Sequence, residues 1–522
     1  MGARRSIQFT DADFYKLDVD NPVSITITIG DLEDALKRID SYGLYLRSFD
    51  QATCALDDEP SAGGETVLSL NLTVASDLEP VWALVSDRAA AQGQTRNLAW
   101  GDRTRLAPTR IGAFADNNLG WRRGSVLNNL SEERADTSAA LVKSAREARA
   151  AFGGQADAQL GKALQIVTTV ARELGIQAVG NAKAMLDTHA VSFTGGAIAL
   201  HSEDGIQLRG LGLGSARLLI AGLQRRAAAQ ASLILIDELE NGLEPHRICR
   251  LLSSIGSKEG APLQAFMTTH SPIALRELKG SQLAVVRNRG ERHDVMNAGI
   301  ADSIQSTLRL FPDAFLAKRT VVCEGASEVG FLRGIDQFFV QSGYLSIQAA
   351  GTALVDAGGV SNIYKRVTAL AALGYSVATF RDDDAKPSEG DETAFLAGGG
   401  TLIVWRPGRT LEDELFLSLS DEAVIRLLER AVDLHGEETV EQHIRSASGG
   451  ALGLADCPRQ VPPEIRTLLG KASRTRKAGW FKSVTWMEDV AHDIYGHDRQ
   501  NADPNFNAIV DKLLAWMYAN GN

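Results

Sequence analysis

The sequence predicts an α/β chain of more than one domain, and three observations carry that expectation. At roughly 150 residues per domain, 522 residues correspond to three or four domains, or two large ones with insertions. Beyond Ala190, short β-branched runs alternate with helical stretches, the pattern of a mostly parallel sheet covered by helices. Two of those runs end in acidic residues, at the strand ends where parallel sheets present ligand-binding groups.

Composition narrows the class. Hydrophobic residues make up 44% of the chain, charged residues 23% and aromatic residues 6%, which excludes disordered, collagen-like and disulfide-stapled chains. With 54 basic against 65 acidic residues the net charge is −11, so any nucleic-acid contact must come from a local basic patch. Cys54, Cys249, Cys323 and Cys457 form no CxxC pair, which disfavours structural zinc and disulfides and fits a reducing cytoplasm. Polar residues and glycines break up Gln337–Val355, and Val367–Phe380 is too short to span a bilayer, so no membrane partner is expected. Met1-Gly2-Ala3-Arg4-Arg5-Ser6 matches myristoylation and twin-arginine patterns only formally, since no apolar segment follows.

Element by element, Pro22–Leu32 and Leu68–Val74 alternate like strands with one buried face. Ala139–Phe152 and Ala156–Leu174 read as two helices joined at Gly153–Gly154, the second with Leu160, Leu164, Val167 and Ala171 on one face. Such a hairpin, inserted at about residues 130–190, suits a dimerisation arm or an ordinary core pair. Strands are expected at Leu233–Ile236, Gln264–Thr268, Thr320–Cys323, Val377–Phe380 and Thr401–Trp405, and helices at Ser215–Gln230 and Glu328–Val340. Asn505–Tyr518 sets Phe506, Ile509, Val510, Leu513, Leu514 and Met517 on one face, as a closing core helix would.

Ala231–Pro245 runs from an apolar strand into Asp237 and Glu238. At such a strand end Asp237 would hold Mg²⁺ through water and Glu238 would polarise an attacking water, although a strand ending in solvated acids reads the same way. One strand later His270 takes a similar place, suited to a γ-phosphate or the attacking water. Upstream, Gly214 and Ser215 open a helix whose bare N–H groups could clamp a γ-phosphate. In this order the three resemble the signature loop, Walker B strand and switch histidine of ABC-type ATPase heads in recombination and repair proteins, whose signature loop acts across a dimer. A GxxxxGK[ST] phosphate loop does not occur: Gly161-Lys162-Ala163 and Gly470-Lys471-Ala472 both lack the upstream glycine. Such a loop would precede Pro22. It was missed upstream, comes from a separate polypeptide, or has been lost with nucleotide binding, and ATP is a cofactor only in the first two cases.

Thr320–Gly330 reads as a strand followed by Glu324, Gly325 and Glu328, and Val377–Lys386 as a strand ending in Asp382, Asp383 and Asp384. Acids on neighbouring parallel strands converge and repel, and an oxygen-only set favours Mg²⁺ or Mn²⁺. Strand periodicity turns Asp382 and Asp384 to one face and Asp383 away. Glu412, Asp413 and Glu414 follow the next strand, with Glu412 the candidate further ligand. Two cations about 4 Å apart activate water and stabilise a leaving oxygen on a phosphodiester. The basic stretch Lys471–Lys482, with Arg474, Arg476, Lys477 and Lys482 interleaved with Trp480 and Phe481, suits a DNA backbone, or is a solvated loop.

The strand-EG-xx-E, strand-DxD order resembles the Toprim domain, a Rossmann-like parallel sheet found in topoisomerases, primases and certain nucleases. Joined to an ABC-type head it resembles the overcoming-lysogenization-defect (OLD) nucleases, whose second class includes the nuclease subunit of the Gabija phage-defence system. Ile236–Arg247 and Arg123–Leu127 after Trp121 carry the likeness to that class. The resemblance implies an ATPase head over residues 1–315 and a nuclease domain over 316–522, forming a homodimer or larger oligomer that cuts DNA, with a helicase as one conceivable partner. It assigns Glu324, Glu328, Asp382 and Asp384 to the metals and Lys482 to catalysis. A type-two topoisomerase would need a nucleophilic tyrosine that nothing singles out, and a primase often carries zinc-binding cysteines. A non-catalytic DNA-binding or assembly subunit with a degenerate ATPase head is the competing reading.

Overall fold

The computed structural model describes residues 8–98, 103, 106, 108–111, 119–120, 125–130, 148–176, 180–186, 198–226, 233–256, 264–457, 460–475 and 478–519. The chain divides into two compact units, Met1–Thr269 and His270–Asn522, and the boundary expected near residue 316 falls inside the second.

The first unit begins with an antiparallel sheet of β1 (Val23–Ile29), β2 (Leu46–Asp50), β3 (Ala55–Asp57), β4 (Glu65–Val74) and β5 (Pro80–Val85). The ten-residue β4 pairs with β1 on one edge and with both β2 and β5 on the other. Leu36, Tyr42, Leu68, Leu70, Leu84 and Ala89 form its core. The expected buried face of β1 is corrected. Ile25 and Ile27 are exposed, because β1 is an edge strand that contacts the sheet through cross-strand bonds such as Thr28 Oγ1 to Ser69 Oγ (2.8 Å).

Next come β6 (Thr109–Ile111), the hairpin of β7 (Lys183–Leu186) and β8 (Ile198–His201), and the strands β9 (Leu233–Ile236) and β10 (Gln264–Met267). Strands β10, β9 and β6 form a parallel sheet in that order. Helices α1 (Ala148–Glu173), α2 (Leu213–Arg226) and α3 (Pro245–Ser254) accompany it. The joint expected at Gly153–Gly154 is also corrected: α1 is one helix running through both glycines. Two interior glycines cost about 1 kcal/mol each, and the buried face of Leu160, Ala163, Leu164, Val167 and Val170 further along outweighs that. Residues 131–147, which hold most of the other expected helix, lie outside the described residues.

In the second unit a hairpin of β11 (Ala284–Asn288) and β12 (His293–Asn297) leads through α4 (Asp302–Leu310) to a parallel sheet. Its strands are β13 (Arg319–Cys323), β14 (Thr352–Asp356), β15 (Ser376–Arg381) and β16 (Thr401–Val404), in the order β14-β13-β15-β16. Every residue of the central β13 is buried, and its neighbours in sequence serve opposite cores. Val321 and Cys323 join Phe380, Ile403 and the C-terminal helices, whereas Val322 joins Val355, Val377 and α6 (Ile363–Ala371). Helix α5 (Ala326–Gln341) follows β13, α7 (Glu389–Ala397) follows β15 and α8 (Leu411–Ser418) follows β16. Beyond them lie α9 (Asp421–His435), α10 (Glu437–Ala447), α11 (Pro463–Ser473), α12 (Val484–Asp489) and α13 (Pro504–Tyr518). Helix α13 buries Phe506, Val510, Leu513 and Met517, the face its spacing predicts. Among the described residues no helix is long and apolar enough to cross a membrane.

Candidate functional site

The acids at the ends of β13 and β15 meet because the two strands are hydrogen-bonded neighbours in parallel register, Cys323 opposite Phe380. The Glu324 N–H donates to Phe380 O (2.9 Å), and the Asp382 N–H donates to Glu324 Oε2 (3.2 Å). Glu328 opens α5 with its carboxylate turned back to accept from the Gly325 N–H (2.8 Å), and only 3% of the residue is exposed. Asp382 Oδ1 accepts from the Leu411 N–H at the start of α8 (2.9 Å), so a third strand–helix junction is drawn in.

The third acidic group shows how helical rotation sorts neighbours. Asp413 caps its own helix, receiving the Thr410 N–H (3.0 Å). Glu414, fully buried, is held by Arg406 and by Arg409 (3.2 Å). Glu412 is 1% exposed, and its Oε1 has no hydrogen-bond partner among the described residues. A buried carboxylate oxygen left in that state is costly unless a cation accompanies it.

Charge confirms the convergence. Burial pushes the Glu328 carboxyl up to about 8, and the Glu412 and Glu324 charges add to the shift. Burial likewise lifts Asp382 well above the usual carboxylate range, followed by the charges of Glu328, Glu412 and Glu324. Glu324 is raised by burial and by Asp384, against the Asp382 N–H, Arg381 and Lys482. Asp383 stands apart, but strand alternation is not the cause: β15 ends at Arg381, and the three aspartates lie in the bend beyond it. It binds Lys386, accepts the Gly408 N–H (2.8 Å), and lies below the ordinary range, chiefly through the lysine. Asp384 is exposed and lies 3.8 Å from Arg474, whose other nitrogen reaches Asp413 (3.3 Å).

Among the described residues no three His, Cys, Asp or Glu side chains already stand as a metal shell, because Glu324, Glu328 and Asp382 are turned toward backbone N–H donors. The donor chemistry still fits a hard divalent cation: an all-oxygen set, mutual repulsion, and one buried oxygen lacking a partner.

Lys482 is exposed, and its charge bears on Glu324. Trp480 and Phe481 correct the sequence reading: both are fully buried and cannot stack on bases. Arg476 and Lys477 lie outside the described residues. Sequence reading also missed Arg381, which is buried between Glu392 (3.0 Å) and the Asp382 carbonyl (2.7 Å) and so fixes the strand end that carries the acids. Its only sequence signal is its place directly before the three aspartates.

In the first unit β9 delivers Asp237 and Glu238 to solvent. Asp237 Oδ1 accepts from Thr268 Oγ1 (2.9 Å), which in turn accepts from the Glu238 N–H (2.9 Å), and Arg110 stands 3.9 Å from Asp237. Glu238 has φ +47°, a left-handed backbone that a non-glycine residue holds only when its surroundings impose it. Arg217, fully buried in α2, imposes it by donating to the carbonyls of Asp237 (2.8 Å), Glu238 (2.8 Å) and Asn241 (2.9 Å). Nothing in the sequence marked that arginine. Gly214 is buried, and a Cβ there would lie 2.4 Å from the Gly242 carbonyl oxygen, so packing alone demands glycine. Ser215 Oγ accepts from Arg247 (3.3 Å), and His270 is exposed at the start of the second unit.

Comparison with known proteins agrees with both halves. Residues 42–276 match the AAA domain family named for an AbiEii-type toxin of a type IV TA system. Residues 315–384 match the overcoming lysogenization defect protein-like TOPRIM domain. Among solved structures, the SMC head bound to the C-winged helix domain of ScpA shares 12% identity, over 44% of this chain and 67% of that one, with a TM-score of 0.27. The C-terminal region of the Xanthomonas campestris pv. campestris OLD protein shares 15%, over 38% of this chain and 97% of that one, with a TM-score of 0.18. No curated protein matches. Both superpositions are loose and carry no argument; the two family models show an AAA-type ATPase-like domain followed by an OLD-like TOPRIM domain.

Proposed function

We propose that this protein is a divalent-metal-dependent DNA endonuclease whose TOPRIM domain, taken to begin near residue 316, cuts phosphodiester bonds. The partnerless Oε1 of Glu412 among the raised carboxylates of Glu324, Glu328 and Asp382 carries the reading. These four, with Asp384, would hold Mg²⁺ or Mn²⁺. Bound there, the cations would supply water activation and neutralisation of charge on the phosphate. The chain's own groups do the rest. Glu324 and Asp382 are fixed to each other through a backbone N–H, Arg381 braces the DxD turn, and Lys482 supplies a positive charge to the scissile phosphate. Arg474, near Asp384, extends that charge toward the DNA backbone.

In the ATPase-like domain, Asp237 and Glu238 would serve a nucleotide's Mg²⁺ and attacking water, with Gly214 and Ser215 as further contacts, and the γ-phosphate role read for His270 falls on a residue that opens the second unit. The resemblance to OLD nucleases supports a homodimer and a role in phage defence or DNA repair, and the scattered cysteines fit a reducing cytoplasm. A plasmid-nicking assay with Mg²⁺ or Mn²⁺ tests the core of this: wild type yields metal-dependent product, and Asp382→Ala and Glu324→Ala do not. Lack of product from the wild type would instead favour an assembly subunit.

A further inference from the structure

We propose that the Trp480 anchor, gripped by His435 and His443, and the bare α-carbon of Gly479 together fix the course of the Lys482 side chain. This rests on reading the carboxylate cluster as the nuclease site. A lysine is a point charge on a flexible stem that loses about 2 kcal/mol of rotamer entropy when fixed, so an unsupported exposed lysine would be spread over many orientations.

Here the backbone is pinned on both sides of it. Trp480 is fully buried, and each of its polar groups is used. The indole Nε1–H donates to His443 Nδ1 (3.0 Å), the carbonyl accepts from His435 Nε2 (2.9 Å), and the backbone N–H donates to Ser473 O (2.9 Å). Phe481 beside it is also fully buried. On the far side Ser483 caps α12, its hydroxyl accepting from the Trp486 N–H (3.1 Å). Lys482 is therefore the one exposed residue between a double aromatic peg and a helix cap.

Its stem is guided as well. A Cβ built on Gly479 would lie 2.7 Å from Lys482 Cγ, 3.0 Å from Cδ and 3.2 Å from Cε. The aliphatic chain thus runs across the glycine's open face, and any side chain there would block its path. At the other end of the stem, the ammonium charge bears on Glu324. His443 must present a bare Nδ1 to the indole and His435 a protonated Nε2 to the carbonyl, so each ring is specified by the bond it makes.

The test uses the full chain in single-turnover plasmid cleavage with Mn²⁺, alongside the acylation rate of Lys482 measured by mass spectrometry without DNA. Gly479→Ala is expected to slow cleavage by about 10–100-fold, with the Mn²⁺ half-saturation point unchanged. Added to Lys482→Ala, it should cost nothing further, because it acts through that side chain. His443→Leu should behave like Gly479→Ala, and His443→Asn, which keeps an acceptor near the Nδ1 position, should recover much of the loss. Lys482 acylation should change in Gly479→Ala while that of Lys512 does not. An equal loss from Gly479→Ala in both backgrounds, or an unchanged Lys482 acylation rate, overturns the proposal. If the wild type cuts no DNA, the nuclease reading fails, and the acylation comparison still decides the positioning.

Discussion

The two strand-end acid sites of this chain are built in opposite ways. In the ATPase-like domain Asp237 and Glu238 are exposed, and the groups around them are hydrogen-bonded: Thr268 serves both residues, and Arg217 serves the loop carbonyls. In the TOPRIM domain Glu328 and Glu412 are buried, with Glu324 and Asp382 half-buried beside them. The Glu324, Glu328 and Asp382 carboxyls are raised by burial and by neighbouring charges, and one Glu412 oxygen has no hydrogen-bond partner among the described residues. The first arrangement is satisfied in its charges, and its strain is confined to the left-handed backbone of Glu238. The second holds electrostatic strain that a divalent cation would relieve, and it is the place where binding and stability should be strongly linked.

The largest expected effect breaks the comparison at the TOPRIM site. Glu324→Gln and Asp382→Asn should abolish metal-dependent cleavage, and Lys482→Ala should reduce its rate by about 10²–10³-fold, read in single-turnover nicking. If these variants cut like the wild type, the strained cluster is not the reacting centre.

Stability should follow proton occupancy. Glu324, Glu328 and Asp382 are raised above their ordinary values, so without a cation the folded domain holds protons that the unfolded chain releases. Their stabilising share is complete below the ordinary values, 4.5 for the two glutamates and 3.8 for Asp382, and is lost as pH rises toward the Glu328 value of about 8. Melts of the metal-free protein should therefore weaken over that window by about 1–3 kcal/mol, and saturating Mn²⁺ should flatten or reverse the trend. A pH-independent metal-free melt would contradict the strain.

Legibility in the sequence followed the same divide. Strand ends were readable because β-branched runs such as Thr320–Cys323 stop at acids, whereas the strand alternation expected of Asp382, Asp383 and Asp384 does not apply, since β15 ends at Arg381. The antiparallel β1–β5 sheet was only half visible, since an edge strand such as β1 alternates in sequence without burying its apolar residues. Strand β14 hid in a stretch whose glutamines and glycines drew attention to membrane spanning. Trp480 and Phe481 misled because aromatics among basic residues look alike whether they face solvent or core. Arg217, Arg381 and Gly479 were unreadable for a different reason: each acts on backbone or side chains distant in fold or defined only by contact, and no local spacing encodes that.

The finest test makes the same chemical change at both sites. Glu412→Gln removes a charge from a crowded, buried group, so it should stabilise the metal-free protein by about 1 kcal/mol and weaken Mn²⁺ binding. Asp237→Asn removes a charge from a side chain that is 61% exposed and keeps an acceptor for Thr268, so its effect should stay within about 0.5 kcal/mol, with no change in Mn²⁺-dependent stabilisation. Chemical denaturation of both variants, with and without Mn²⁺, separates the outcomes. A stabilised Asp237→Asn, or a Glu412→Gln that melts earlier than wild type without metal, would mean that the contrast between a solvated and a crowded acid site is drawn in the wrong place.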